Sequence, residues 1–244
     1  MNILTKYLSG IVSLLYPKHC AICETYIDEG FFDLCEDCWK SLPLIGSTQC
    51  QRCGAYLGPY TKPSESCSRC EEGQFSSIKK VSAIFRYKDS AKDLIHKLKF
   101  DKRRYVAYSL ADMLAEHLKT EAFIEKIDII VPVPLHWRRE MVRTFNQSEI
   151  IASSVSKKLK IKYETNVIGR KRATKEQSRL EINERKKNLE GAFALSLVNR
   201  FKVAGKTILL IDDVMTTGTT LTECAKVLKK GNAKAIYGAV ICRA

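Results

Sequence analysis

The chain has no long apolar run. Its most hydrophobic stretch near the start, residues 3–15, places Ile3, Leu4, Tyr7, Leu8, Ile11, Val12, Leu14 and Leu15 at helical spacing, with Lys6 inside it. That is too short to cross a bilayer, so no transmembrane segment is expected. No small-residue cleavage site accompanies it, which argues against a secretory leader and for a cytoplasmic protein. A short amphipathic helix packed on its own domain is the expected structure, with a membrane-surface or partner contact as the alternative. There is no excess of glycine or proline (12 and 6 of 244 residues) and no low-complexity tract, as in a globular chain. A nucleotide-triphosphatase loop is also lacking. Gly205-Lys206-Thr207 has the ending of a Walker A motif, but position 200 is Arg200 and a strand follows where a helix is required. Acidic residues are short, 27 against 41 Lys and Arg, for a net charge of +14. The shortage is uneven: residues 1–75 carry −3 and residues 76–244 carry +17. Such asymmetry points to a polyanion, nucleic acid above all, near the larger part.

What is present begins with ten cysteines. Eight form four Cys-x-x-Cys pairs: Cys20/Cys23, Cys35/Cys38, Cys50/Cys53 and Cys67/Cys70. Gaps of 11, 11 and 13 residues between pairs leave room for a hairpin each. Two structural Zn2+ sites, each with four thiolates, are expected. Four evenly spaced copies disfavour a redox role. So small and turn-rich a segment could hardly bury its own core, and zinc would supply the folding energy. Four pairs allow three pairings; joining first with second and third with fourth closes the shortest loops. His19 is a spare ligand in a set already complete without it. Cys224 and Cys242 stand apart and are expected as core thiols.

Glu71 to Ser77 is polar and contains Gly73, which places a boundary between residues 1–75 and 76–244. Beyond it, Val81–Tyr87 alternates toward strand, and 90–100 and 105–118 have helical spacing. Ile127–Val133 reads as a buried strand ended by Pro132 and Pro134, and 147–159 as a helix. Residues 161–168, 191–195, 206–211 and 235–242 read as strands, with a helix over 221–230. Strands alternating with helices predict an α/β fold with a parallel sheet, whose ligands sit at the carboxyl ends of the strands.

The most informative stretch is Ile208-Leu-Leu-Ile-Asp-Asp-Val-Met-Thr-Thr-Gly-Thr-Thr-Leu221. An apolar strand leads to the candidate catalytic acids Asp212 and Asp213. A turn of Thr216, Thr217, Gly218, Thr219 and Thr220 follows, and then a helix. Backbone N–H groups at a helix start favour a phosphate. Gly218 allows close approach, and the acids can accept bonds from vicinal sugar hydroxyls. Capping alone would not require four threonines around a glycine. This pattern resembles the signature of type I phosphoribosyltransferases for 5-phosphoribosyl 1-diphosphate (PRPP). The resemblance widens through Val131-Pro-Val-Pro-Leu-His136, Arg143-Thr-Phe-Asn-Gln147, Gln177 and Arg185-x-x-Asn188-Leu-x-Gly-Ala-Phe193. Together with the cysteine pairs, the chain is similar to the ComF family of bacterial competence proteins; Thr144 stands where the family usually has glycine.

The resemblance implies a type I phosphoribosyltransferase-like parallel sheet with an N-terminal zinc-ribbon domain. It further implies PRPP with Mg2+ as ligand and a part in handling incoming single-stranded DNA. A DNA-uptake helicase or other competence proteins would be partners. By position, Pro134, His136, Arg138 and Arg143 resemble a pyrophosphate loop, and Arg170 to Lys187, with Gln177, Arg185 and eight basic residues, resembles a lid. The lid's cations suit either a developing pyrophosphate or a nucleic-acid backbone. Two other readings stay open: a salvage phosphoribosyltransferase with a zinc appendage and an unknown acceptor, and a non-catalytic zinc-ribbon adaptor.

Overall fold

The computed structural model describes residues 18–27, 32–46, 48–61, 67–71, 75–100, 104–135, 145–171 and 190–244. The larger part is built on five parallel strands in the order β1-β7-β6-β2-β3. They are β1 (Val81–Arg86), β2 (Ile129–Pro132), β3 (Lys162–Tyr163), β6 (Thr207–Met215) and β7 (Ala235–Arg243). A separate antiparallel hairpin joins β4 (Ile168–Arg170) to β5 (Phe193–Leu195). The helices are α1 (Glu36–Lys40), α2 (Ser68–Glu71), α3 (Asp89–Phe100), α4 (Arg104–Lys119), α5 (Gln147–Leu159) and α6 (Thr219–Lys230).

The alternation of side chains along β6 divides the core in two. Leu209 and Ile211 face α3, α4 and α5, where Leu94, Leu98, Leu110, Leu114, Ile151 and Val155 are buried. Ile208 and Leu210 face α6 and the hairpin, where Leu221, Cys224, Leu228, Ile168 and Phe193 are buried. Cys242 belongs to the first face and Cys224 to the second, both fully buried, as core thiols should be.

The cysteine-rich segment packs onto both faces. Cys20, Ala21, Ile27, Leu34 and Leu42 join the helical side. Cys50, Cys53, Ala55, Cys70, Phe75 and Ile78 join the α6 side. Between them the chain runs antiparallel along β1: Leu44 pairs with Phe85, the Ile45 N–H donates to Ile84 O (2.9 Å), and the Arg86 N–H donates to Pro43 O (2.9 Å). This covers an edge that would otherwise present unpaired backbone groups.

Two strand boundaries differ from expectation. Residues 161–168 were expected as one strand, but Asn166 adopts a left-handed conformation (φ 57°) and turns the chain away after β3, so β4 pairs with β5 instead. The strand expected to stop at Ile211 continues through both acids to Met215, because β7 pairs with it as far as Met215↔Arg243. Pro132 lies inside the sheet without losing a ladder bond. Its nitrogen faces the β3 side, and β3 reaches only Ile129 and Ile130. The expected N-terminal helix lies outside the described residues.

Candidate functional site

The carboxyl ends of β2, β6 and β7 converge on one edge, and β6 delivers the acids there. Successive residues of a strand point to opposite faces. Asp213 points to the helical side, where it is buried and paired with Lys99 of α3 at 2.9 Å. Asp212 is half-buried; its Oδ1 accepts from Ser148 Oγ of α5 (2.9 Å) and from the Asp213 N–H (2.9 Å). Burial pushes the Asp212 carboxyl up, and the neighbouring Asp213 charge adds to it, to about 7; Ser148, the Asp213 N–H and Lys99 oppose the rise. A carboxyl poised near neutrality can accept a bond from a sugar hydroxyl when ionised and donate one when protonated.

The threonine loop follows directly. Gly218 takes φ +83° and caps α6, and the Thr222 N–H donates to its carbonyl at 2.9 Å. Thr217 and Thr219 hydroxyls lie 2.8 Å apart. A first helical turn has N–H groups without intrahelical acceptors, and α6 offers them beside Asp212. The opposite wall is α5, whose N-cap Asn146 accepts from the Ser148 N–H (3.1 Å) and donates through Nδ2 to Val133 O (3.3 Å). That bond ties the start of α5 to the end of β2, just before Pro134.

Other predicted residues fall differently. Arg170 ends β4, with its guanidinium 5.3 Å from the centre of the Phe193 ring. The β4–β5 pairing, extended by the Lys171 N–H to Ala192 O (2.9 Å), roots the segment expected as a lid. His136, Arg138, Arg143, Gln177 and Arg185 lie outside the described residues. Four residues at this edge were not anticipated: Lys99, Ser148, Phe75 and Arg243. Only Arg243 carried a signal, a lone cation at the end of an apolar strand.

The cysteines form two groups by adjacent pairing: Cys20, Cys23, Cys35 and Cys38, and Cys50, Cys53, Cys67 and Cys70. Within each, all sulfurs lie within 4.8 Å of one another. A tetrahedral zinc with Zn–S of about 2.3 Å needs sulfurs about 3.8 Å apart. The observed separations are 3.7 Å for Cys23–Cys35, 3.8 Å for Cys50–Cys70, 3.6 Å for Cys53–Cys67 and 3.8 Å for Cys67–Cys70. Both tetrads fit zinc. The His19 ring instead lies edge-on to that of Tyr26, with 6.3 Å between centroids.

Comparison with known proteins agrees. Residues 11–71 match the double zinc ribbon domain and residues 145–244 the phosphoribosyl transferase domain. The DNA utilization protein YhgH of Escherichia coli K12 is 31% identical over 233 residues, which cover 94% of this chain and 99% of that protein. Competence protein F of Haemophilus influenzae is 30% identical, covering 81% and 84%. Competence protein ComFC of Streptococcus pneumoniae is 30% identical, covering 82% and 83%. The chain belongs to the ComF family. Within this ComF chain the transferase match takes in α5, the hairpin, β6 and the threonine loop, and the ribbon match contains all eight paired cysteines. Among the described residues, no helix is long and apolar enough to cross a membrane.

Proposed function

We propose that this ComF protein serves natural competence in the cytoplasm, binding PRPP at residues 216–220 and single-stranded DNA on its basic surface. The observation that carries the PRPP reading is the juxtaposition at the end of β6. There Asp212, held near neutrality, adjoins a glycine-capped helix start. The 5-phosphate sits on the Thr216–Thr220 backbone and hydroxyls, and the acids receive the ribose hydroxyls, Asp213 after exchanging its bond with Lys99. Mg2+ accompanies the diphosphate and offsets its charge. Pro134, His136, Arg138, Arg143, Arg170, Gln177 and Arg185 supply the pyrophosphate loop and lid. The names of the relatives and the +17 charge of residues 76–244 support the DNA reading.

Calorimetry with PRPP and Mg2+ on the wild type and on the Asp212→Ala/Asp213→Ala double variant tests the site. Equal affinities would refute the ribose assignment. Anisotropy of a labelled single strand at several salt concentrations tests the DNA reading, with a steep loss of affinity as salt rises. The complete threonine loop and paired acids also favour a second reading, a salvage phosphoribosyltransferase. Pyrophosphate release in a screen of nucleobases, with no DNA binding at low salt, would select it.

A further inference from the structure

We infer that Phe75 and Arg243 are positioning residues through which the second cysteine tetrad holds the threonine loop in its phosphate-binding shape. The inference rests on the PRPP reading of that loop and adds a device to it.

The Phe75 ring, five residues past Cys70, is fully buried. A β-carbon built on Gly218 would lie 2.5 Å from two of its ring carbons. The backbone at the turn of the loop therefore lies directly against this ring, and glycine is required there for contact as well as for φ. Arg243, the last residue of β7, is 3% exposed. Its Nε donates to Cys53 O at 3.3 Å. Its Nη1 donates to Met215 O at 3.3 Å and also to Thr216 O. One guanidinium thus joins the Cys50–Cys53 knuckle to the first residue of the loop. The knuckle itself is pressed onto β1. Gly54 takes φ +67°, a β-carbon on it would meet Val81 O at 3.0 Å, and the Val81 N–H donates to Arg52 O at 2.8 Å.

A planar guanidinium with fixed donors can hold three carbonyls from two segments, and an ammonium cannot reproduce that fork. Zinc held by Cys50, Cys53, Cys67 and Cys70 would fix the Cys53 carbonyl that Arg243 grips and the Cys70 end of the segment that leads to Phe75. Among the described residues, the first tetrad has no such route. Its bonds run to the helices, from Lys97 Nζ to Ile22 O (2.6 Å) and from Ser109 Oγ to Asp33 Oδ2.

The test uses the full chain as Arg243→Lys, Phe75→Leu and Cys67→Ser, with Asp33→Ala in the first ribbon as control. Zinc content, PRPP affinity and amide exchange of residues 215–222 are read for each. Arg243→Lys and Phe75→Leu should keep both zincs yet lose about tenfold or more in PRPP affinity, with faster exchange in the loop. Cys67→Ser should lose one zinc and show the same loop signature, and Asp33→Ala should leave affinity and loop exchange at wild-type values. Unchanged exchange and affinity in Arg243→Lys and Phe75→Leu would overturn the inference, even if Cys67→Ser fails to fold. A wild type that binds no PRPP would remove the ligand assignment, while the exchange data would still decide whether the ribbon positions the loop.

Discussion

The two cysteine tetrads have nearly the same spacing and different surroundings. In the first, Cys20 is buried and Cys23 is exposed; in the second, Cys50, Cys53 and Cys70 are all buried. The first leans on α3 and α4, whereas the second lies in the core that carries α6 and reaches the threonine loop through Phe75 and Arg243. Identical ligand arithmetic therefore yields a peripheral clip in one place and a support for the site in the other. What a zinc knuckle does beyond closing its own loop depends on what its backbone touches.

The largest effects will come from the metal. About two zinc ions per chain are expected, and structural zinc sites contribute on the order of 10–16 kcal/mol in isolated peptides. A chelator should strip the exposed first site before the second. Zinc release should be biphasic, with near-ultraviolet dichroism of the larger domain lost mainly in the slow phase. A single phase would erase the distinction between the tetrads.

Core truncations come next. Leu34→Ala beside the first tetrad should cost about 2–5 kcal/mol and Phe75→Ala beside the second about 3–5 kcal/mol, measured by urea unfolding. Similar losses of stability should accompany unlike effects on the site: only Phe75→Ala should weaken PRPP. Equal loss of affinity in both variants would mean that general softening, rather than the ring contact, controls the loop.

Lys97→Met sharpens the comparison further, because it removes the bond to Ile22 O and the ion pair with Glu24 at 2.9 Å. It should destabilise the chain by about 1.5–3 kcal/mol without altering PRPP binding.

Smallest per pH unit, at no more than about 1.4 kcal/mol, is the effect of pH on Asp212. Its pKa is raised when folded, so its contribution to stability is complete below the unfolded value, near 4, and is lost as pH rises through about 7. Ligand binding should have the opposite dependence. Ribose hydroxyls and Mg2+ favour the carboxylate, so PRPP affinity should rise between pH 6 and 8, by less than about tenfold per unit. Calorimetry in buffers of different ionisation heat should detect proton release, and Asp212→Asn should abolish it. First-ribbon variants such as Asp33→Ala should leave this profile unchanged.

Much of this arrangement was legible in the order of residues. Cys-x-x-Cys spacing specifies local knuckles that tolerate little besides a metal, and apolar periodicity specifies α3 to α6 and the buried strands, since each pattern repeats within a few residues. The Ile-Leu-Leu-Ile-Asp-Asp strand and Thr-Thr-Gly-Thr-Thr turn were readable for the same reason. Residue order left the end of β6 open, because pairing with β7, decided by a neighbour more than twenty residues away, carries that strand through the acids. It also left open that Asp213 finds Lys99, that Asp212 finds Ser148, and that Phe75 lies under Gly218. The sequence by itself determined the eight candidate zinc ligands, the strand-and-helix alternation and the threonine turn, all of them short-range. Only the tertiary structure decided that the ribbons divide between the two faces of the sheet and that one of them supports the site. Burial, side-chain direction and hydrogen bonds between distant segments arise only when the chain closes on itself, and local spacing does not encode them.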